Sequence, residues 1–211
     1  MEIALRICRF DPEKDSAPRF DRVAVEMEAH QTVLDALLLA WRKIPELSFR
    51  RSCRSAICGS CAIRINGKPA LACQTLIRTV TADGNEITLE PLPHFRQLKD
   101  LVVDLEPFFE SLKASVPWLV PRDNYNGLME PEVVREIEDP ATCILCGICQ
   151  GDMDAPGQVK PAGVVKALRF AKDPRDALSL HRIRLLQVPP DVLKLFLNQL
   201  PRHCPKGIEI K

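Results

Sequence analysis

The sequence predicts an α+β chain built as two domains, and three observations carry that expectation. Strand-like alternation with one helical stripe fills the chain up to Glu90; Pro91-Leu-Pro-His-Phe95 breaks the pattern; beyond it only helical periodicity recurs. The 211 residues suffice for two small domains, placed at 1–97 and 98–211. A composition 46% hydrophobic and 27% charged is that of an ordinary globular protein. The formal charge of +1 supplies no basic field, which argues against nucleic acid or an anionic membrane as a partner.

The elements follow in order. Ile3 to Phe10 and Arg22 to Glu28 alternate as strands, joined by a Pro-containing turn region over 11–21. Thr32-x-x-Asp35 offers a helix N-cap, and Val33, Leu34, Leu37, Leu38, Trp41 and Ile44 recur at helical spacing until Pro45 stops them. That stripe, Trp41 included, is expected to be core. Ala62–Ile65 and Ala70–Cys73 flank Asn66-Gly67, a hairpin signal, and Glu86–Glu90 follows the Asp83-Gly84 turn. Strands folded over a single helix in this order suggest the β-grasp arrangement. Past the expected linker at 91–95, Leu98 to Leu112 places Leu101, Val102, Leu105, Phe108, Phe109 and Leu112 on a helical face, with Pro107 as a candidate break. Pro131 opens another helix, and further helical stretches run over 163–171 and 191–200.

No apolar run approaches the roughly 18–20 residues that span a bilayer. The N-terminus opens directly into a strand pattern, so no signal or transit peptide is expected, and the cytoplasm is the expected location. The chain nevertheless holds nine cysteines, and a reducing cytosol keeps thiols free of disulfides. Their tight clustering points to metal instead.

Cys53-x4-Cys58-x2-Cys61, with Cys73 beyond, is the spacing of a plant-type [2Fe–2S] ferredoxin. Each iron requires tetrahedral sulfur ligation, so thiolates must converge from one loop. Gly59 and the small Ser52, Ser55, Ala56 and Ser60 leave backbone amides free to approach the sulfurs. Arg50, Arg51 and Arg54 add positive charge beside an anionic cluster, which raises its potential. Zinc prefers short, well-separated cysteine pairs and fits this run poorly.

Cys143-x2-Cys146-x2-Cys149 is a second run, of the bacterial ferredoxin kind, in which a cluster takes its last ligand from a remote Cys-Pro. Cys204-Pro205 supplies one, and the arithmetic closes: four thiols for [2Fe–2S], four for one [4Fe–4S], and Cys8 left over as a small buried hydrophobe. A structural zinc site on Cys143, Cys146, Cys149 and Cys204 is the alternative.

These residues resemble a known family, the iron–sulfur subunits of succinate dehydrogenase and fumarate reductase. The resemblance is carried by Arg51-Ser-Cys53 through Cys61, Pro91–Phe95 ahead of Asp100–Asp104, Cys143-Ile-Leu-Cys146, Lys160–Gly163 through Phe170, and Cys204-Pro-Lys-Gly207. It implies a β-grasp [2Fe–2S] ferredoxin domain followed by an all-α helical ferredoxin domain. It implies electron relay between an FAD-bearing flavoprotein dehydrogenase subunit and a membrane anchor or a different redox subunit, with no catalytic residue in this chain. The location it implies is peripheral, on the cytoplasmic face of the inner membrane.

Family members usually add a [3Fe–4S] cluster near the quinone. Its ligand positions here are Met153, Lys194 and Leu200, and Leu195 stands where the family has a histidine. Lys and Leu offer no soft donor, so no [3Fe–4S] cluster is expected. The short stretch from Met153 to Lys160 lacks the paired tryptophans that line the quinone pocket. Three readings follow: a two-cluster subunit of a succinate dehydrogenase or fumarate reductase-like complex, a wire for a diverged flavoprotein with a non-quinone partner, or a scaffold with a structural metal site. Lys194 either fills an emptied cavity or points to solvent. His203 beside Cys204 is a candidate sulfur partner, whereas His94 and His30 have none visible in sequence. The charges at Arg122-Asp123 and over Asp173–Asp176 are expected to be solvated turns.

Overall fold

The computed structural model describes residues 1–81, 84–152, 160–199 and 204–209. It separates into two compact units, Met1–Asp104 with Cys146–Asp152, and Leu105–Leu145 with Met153–Lys211.

In the first unit, β1 (Glu2–Arg9) runs antiparallel to β2 (Arg19–Glu26), from the Glu2–Glu26 pair to Arg9–Arg19. Alternation along β1 sends Ile3, Leu5 and Ile7 into the core. Cys8 is buried as expected; burial pushes its thiol up, and Gln97 Nε2 donates to its sulfur at 3.6 Å. Helix α1 (Val33–Lys43) begins at a capping box in which the Asp35 amide donates to Thr32 Oγ1 at 3.2 Å and the Thr32 amide to Asp35 Oδ2 at 2.9 Å. β3 (Ala62–Ile65) and β4 (Lys68–Leu71) form the expected hairpin, followed by the short α2 (Ile77–Val80) and by β5 (Glu86–Glu90). The sheet order is β2-β1-β5-β3-β4, with β1 and β5 parallel, so a five-stranded mixed sheet results. Asp83, half of the expected turn before β5, lies outside the described residues.

Three expectations are corrected here. Trp41 is 38% exposed, not core, because α1 buries Val33, Leu34, Ala36, Leu37 and Ala40. The two alanines shift the buried stripe and allow close approach. The helix expected from Leu98 is instead a strand pair, β6 (Gln97–Lys99) with β7 (Val102–Val103). Asp100 turns the chain with a φ of 44°. Its buried carboxylate accepts from Arg9 Nε at 2.9 Å, the Phe10 amide at 3.0 Å and the Ser48 amide at 2.8 Å. Those partners lie far away in sequence, and they outweigh a helical periodicity that short apolar runs display ambiguously. Pro91–Phe95, expected to be a linker, is a packing platform: Leu92 is buried, and an added Cβ at Gly147 would meet Phe95 Cζ at 3.2 Å.

In the second unit, α3 (Glu106–Lys113) starts just ahead of Pro107, which opens the helix instead of breaking it. α4 (Pro131–Ala141) opens on its proline as expected. The next helix in the chain, α5 (Ile148–Asp152), belongs to the first unit. α6 (Pro161–Ala171), α7 (His181–Leu185) and α8 (Pro190–Gln199) complete the second. Asp173 and Asp176 are fully buried, which overturns the expected solvated turn there. Asp176 accepts from the amides of Val120, Leu178 and Ser179 at 2.9–3.0 Å and pairs with the fully buried Arg182. Asp173 binds Arg175 at 2.8 Å and Arg169 at 2.5 Å. Interior charge persists only where each ion is paired and hydrogen-bonded, and sequence spacing does not reveal such pairing. No described helix is long and apolar enough to cross a membrane.

Candidate metal centres

The loop from Cys53 to Cys61 leaves β-structure because its backbone turns left-handed three times, at Arg54 (φ 59°), Ala56 (φ 54°) and Gly59 (φ 72°). Such turns point consecutive amides inward and make an anion-binding concavity. The amides of Ser55, Ile57 and Cys58 donate to Cys53 Sγ at 3.4, 3.4 and 3.3 Å, and the Ala56 amide donates to Cys73 Sγ at 3.3 Å. Ser55 and Ala56 are among the small residues expected to supply such donors, whereas Ile57 and Cys58 are not.

The four thiols fall into two interacting pairs, Cys58 with Cys53 and Cys61 with Cys73, and Cys58 acts electrostatically on Cys61. A two-iron cluster asks for a thiolate pair on each iron, and this arrangement fits one. Among the described residues, no three His, Cys, Asp or Glu side chains close on a single-ion site. Hydrogen bonding, first of all with Ser60 Oγ at 3.1 Å, brings the Cys58 thiol down to about 6. Burial pushes the Cys61 thiol up to about 12. Cys53 and Cys58 are exposed, Cys73 is half-buried, and the loop presents the bare side chain of Ile57, 65% exposed. Arg51 does not point freely at the loop: its guanidinium lies 4.8 Å from the Trp41 ring centre and 5.1 Å from that of Phe49.

The second cysteine run divides between the units. Cys143 and Cys204 are in the second, half-buried and close enough to influence each other electrostatically. Burial raises the Cys143 thiol, while the Lys166 ammonium, which donates to the Cys143 carbonyl at 3.2 Å, opposes that rise. Cys146 and Cys149 are in the first unit, half-buried at the start of α5. The backbone turns left-handed at Gly147, whose carbonyl accepts the amides of Gln150 and Gly151 at 3.1 and 3.0 Å.

Of the positions where the resemblance leads one to look for further ligands, Lys194 is exposed on α8 and Leu195 is 43% exposed. Met153, Leu200 and His203 lie outside the described residues. His30 sits 3.3 Å from Glu28 on the surface. Sequence reasoning placed Gly59 in the first loop for its small size but missed that its backbone lies against Cys146. Its position between two expected ligands was the available signal.

Residues 4–110 match a family described as a 2Fe-2S iron-sulfur cluster binding domain. The chain is 33% identical to the mitochondrial succinate dehydrogenase [ubiquinone] iron-sulfur subunit of Dictyostelium discoideum, over 98% of this chain and 78% of that protein. It is also 33% identical to the fumarate reductase iron-sulfur subunit of Escherichia coli, over 98% of this chain and 88% of that one. In structure it resembles a chain of the Mycobacterium smegmatis Sdh1 complex in the apo form, with a TM-score of 0.81, 25% identity, and coverage of 99% and 90%.

Proposed function

The chain belongs to the succinate dehydrogenase and fumarate reductase iron–sulfur subunits, and on that premise we propose that it is the electron-transfer subunit of such a complex. The supporting observation is the first loop, where paired thiols and inward amides are ready for a cluster inside a chain related over nearly its whole length. Cys53, Cys58, Cys61 and Cys73 would hold [2Fe–2S], and Cys143, Cys146, Cys149 and Cys204 one [4Fe–4S]. The clusters, when bound, supply one-electron transfer.

The chain's own residues tune and shield that chemistry. Amides on Cys53 Sγ and Cys73 Sγ stabilise negative sulfur at the first site, and Lys166 adds positive charge beside Cys143 at the second, all of which favours the reduced state. The expected boundary at 97 moves to Asp104: we assign the first unit to a β-grasp ferredoxin domain and the second to a helical ferredoxin domain. The partner is an FAD-bearing flavoprotein subunit, with the complex in the cytoplasm or at the membrane through other subunits. Chemistry on the dicarboxylate would belong to the flavoprotein.

A second reading is favoured by a specific observation: Met153, Lys194 and Leu200 occupy the positions of the third cluster's ligands. The wire then ends on an acceptor other than a quinone bound at the usual site.

Iron and acid-labile sulfide analysis with EPR of the reduced protein tests the cluster set. About six irons per chain are expected, and Cys204→Ser should leave about two with the [2Fe–2S] signal intact. About nine irons would show a third cluster, and a reduced protein without a [4Fe–4S] signal would favour the structural-metal reading. Quinone turnover by the intact complex separates the two electron-transfer readings.

A further inference from the structure

Gly59 stands between Cys58 and Cys61, is buried, and adopts a φ of 72°. Its neighbour across the fold is the backbone of Cys146, and both belong to the first unit. A Cβ at residue 59 would lie 2.7 Å from Cys146 Cβ, 2.9 Å from its Cα and 3.3 Å from its amide nitrogen. No rotamer relieves such an overlap, because two of the three atoms are main chain. The loop bearing the first thiols therefore touches the segment bearing the second at the one residue type that allows it. The Cys146 segment is further seated by Gly147 against Phe95 and by Gly151 against Pro93, where an added Cβ would meet Pro93 Cδ at 3.4 Å.

We propose that Gly59 is a positioning residue that sets the separation of the two clusters and hence the rate at which electrons pass between them. This deepens the two-cluster reading and rests on it. Electron tunnelling falls steeply with the gap between donor and acceptor. A side chain at 59 must displace either the ligand pair Cys58 and Cys61 or the ligand Cys146, so it changes that gap without removing a thiol.

Gly67 provides the control. Its φ of 79° carries the same left-handed strain, but the nearest atom to an added Cβ is a side-chain nitrogen of Arg64 at 3.9 Å, an ordinary contact. Gly59→Ala and Gly67→Ala should thus lose comparable stability from backbone strain, and only the first should alter the clusters' mutual effect. The readout is microwave power saturation of the [2Fe–2S] EPR signal in fully reduced protein, where a nearby reduced [4Fe–4S] cluster speeds relaxation. With both clusters loaded, Gly59→Ala should saturate at severalfold lower power than wild type, while Gly67→Ala matches wild type. Loss of the [4Fe–4S] cluster from Gly59→Ala alone would also support the proposal, since it reports displacement of Cys146. Unchanged saturation in a fully loaded Gly59→Ala protein would overturn it. Should that variant not fold, wild-type protein still decides: about six irons with no relaxation enhancement overturns the role of Gly59 alone, whereas about two irons overturns the two-cluster reading itself.

Discussion

The two units keep their interiors by different means. In the first, Leu5 and Ile7 on β1 face Ile87 and Leu89 on β5, and all four are fully buried. In the second, the bulkiest fully buried side chain is Arg182, held by Asp176. Adjacent strands bury apolar surface simply by alternating in register. Short helices leave long connections between them, here over 114–130 and 172–180, whose backbone polar groups still need partners. Asp176 gathers the amides of three such residues and an arginine, a task no leucine could perform. An apolar sheet thus leads in the first unit and a polar hub in the second, while Asp100, bonded to Arg9, Phe10 and Ser48, gives the first unit a smaller hub of its own.

The contrast is most sharply tested at Asp176. Asp176→Ala leaves Arg182 charged, buried and unpaired, and should lower stability by about 3–5 kcal/mol, read from the urea midpoint at neutral pH. A change within about 0.5 kcal/mol, typical of surface substitutions, would mean that the hub contributes no more than a surface pair.

Acid should act on the hub next. Arg175 first, and then Arg169, hold the Asp173 carboxyl below the ordinary carboxylate range. For Asp176, burial raises the value, but the bond from Arg182 and those from the Val120 and Ser179 amides outweigh it. A depressed folded-state value means stability that is complete above the unfolded value of about 4 and disappears as pH falls below it. The urea midpoint should therefore drop below about pH 4 more steeply in wild type than in Asp173→Asn. Equal slopes would show that the acid sensitivity resides elsewhere.

The smallest effect belongs to the first unit. Thr32→Ala removes half of the capping box of α1 and should cost about 1 kcal/mol by thermal or urea denaturation. A loss as large as that of Asp176→Ala would erase the distinction between a trimmed helix end and a broken hub.

Legibility in the sequence follows the same division. β1, the β3–β4 hairpin, β5 and the Thr32 cap were readable because each rests on neighbours a few residues apart. The amide donors around Cys53 follow the same logic, since they lie within five residues of it, whereas Cys73 takes its donor from Ala56 across a longer separation. What escaped has partners remote in sequence. Asp100 binds Phe10 and Ser48, so its turn resembled a helix; Asp176 binds Val120 and Arg182, so its loop resembled a solvated turn. Gly59 could be seen as small but not as lying against Cys146. Trp41 was misplaced by an ambiguity of one helical position, resolved by two alanines.

The first unit is discontinuous: Cys146–Asp152 joins Met1–Asp104 after forty-one intervening residues, 105–145. Chains emerge from the ribosome N-terminus first and fold largely in that order. The sheet can form early, yet the surface of Leu92, Pro93 and Phe95 awaits a segment made much later. Until then an apolar patch beside four free thiols is open to whatever the cell supplies. The order of synthesis thus creates an interval in which a chaperone or an iron–sulfur donor could meet the first loop before its neighbouring segment arrives.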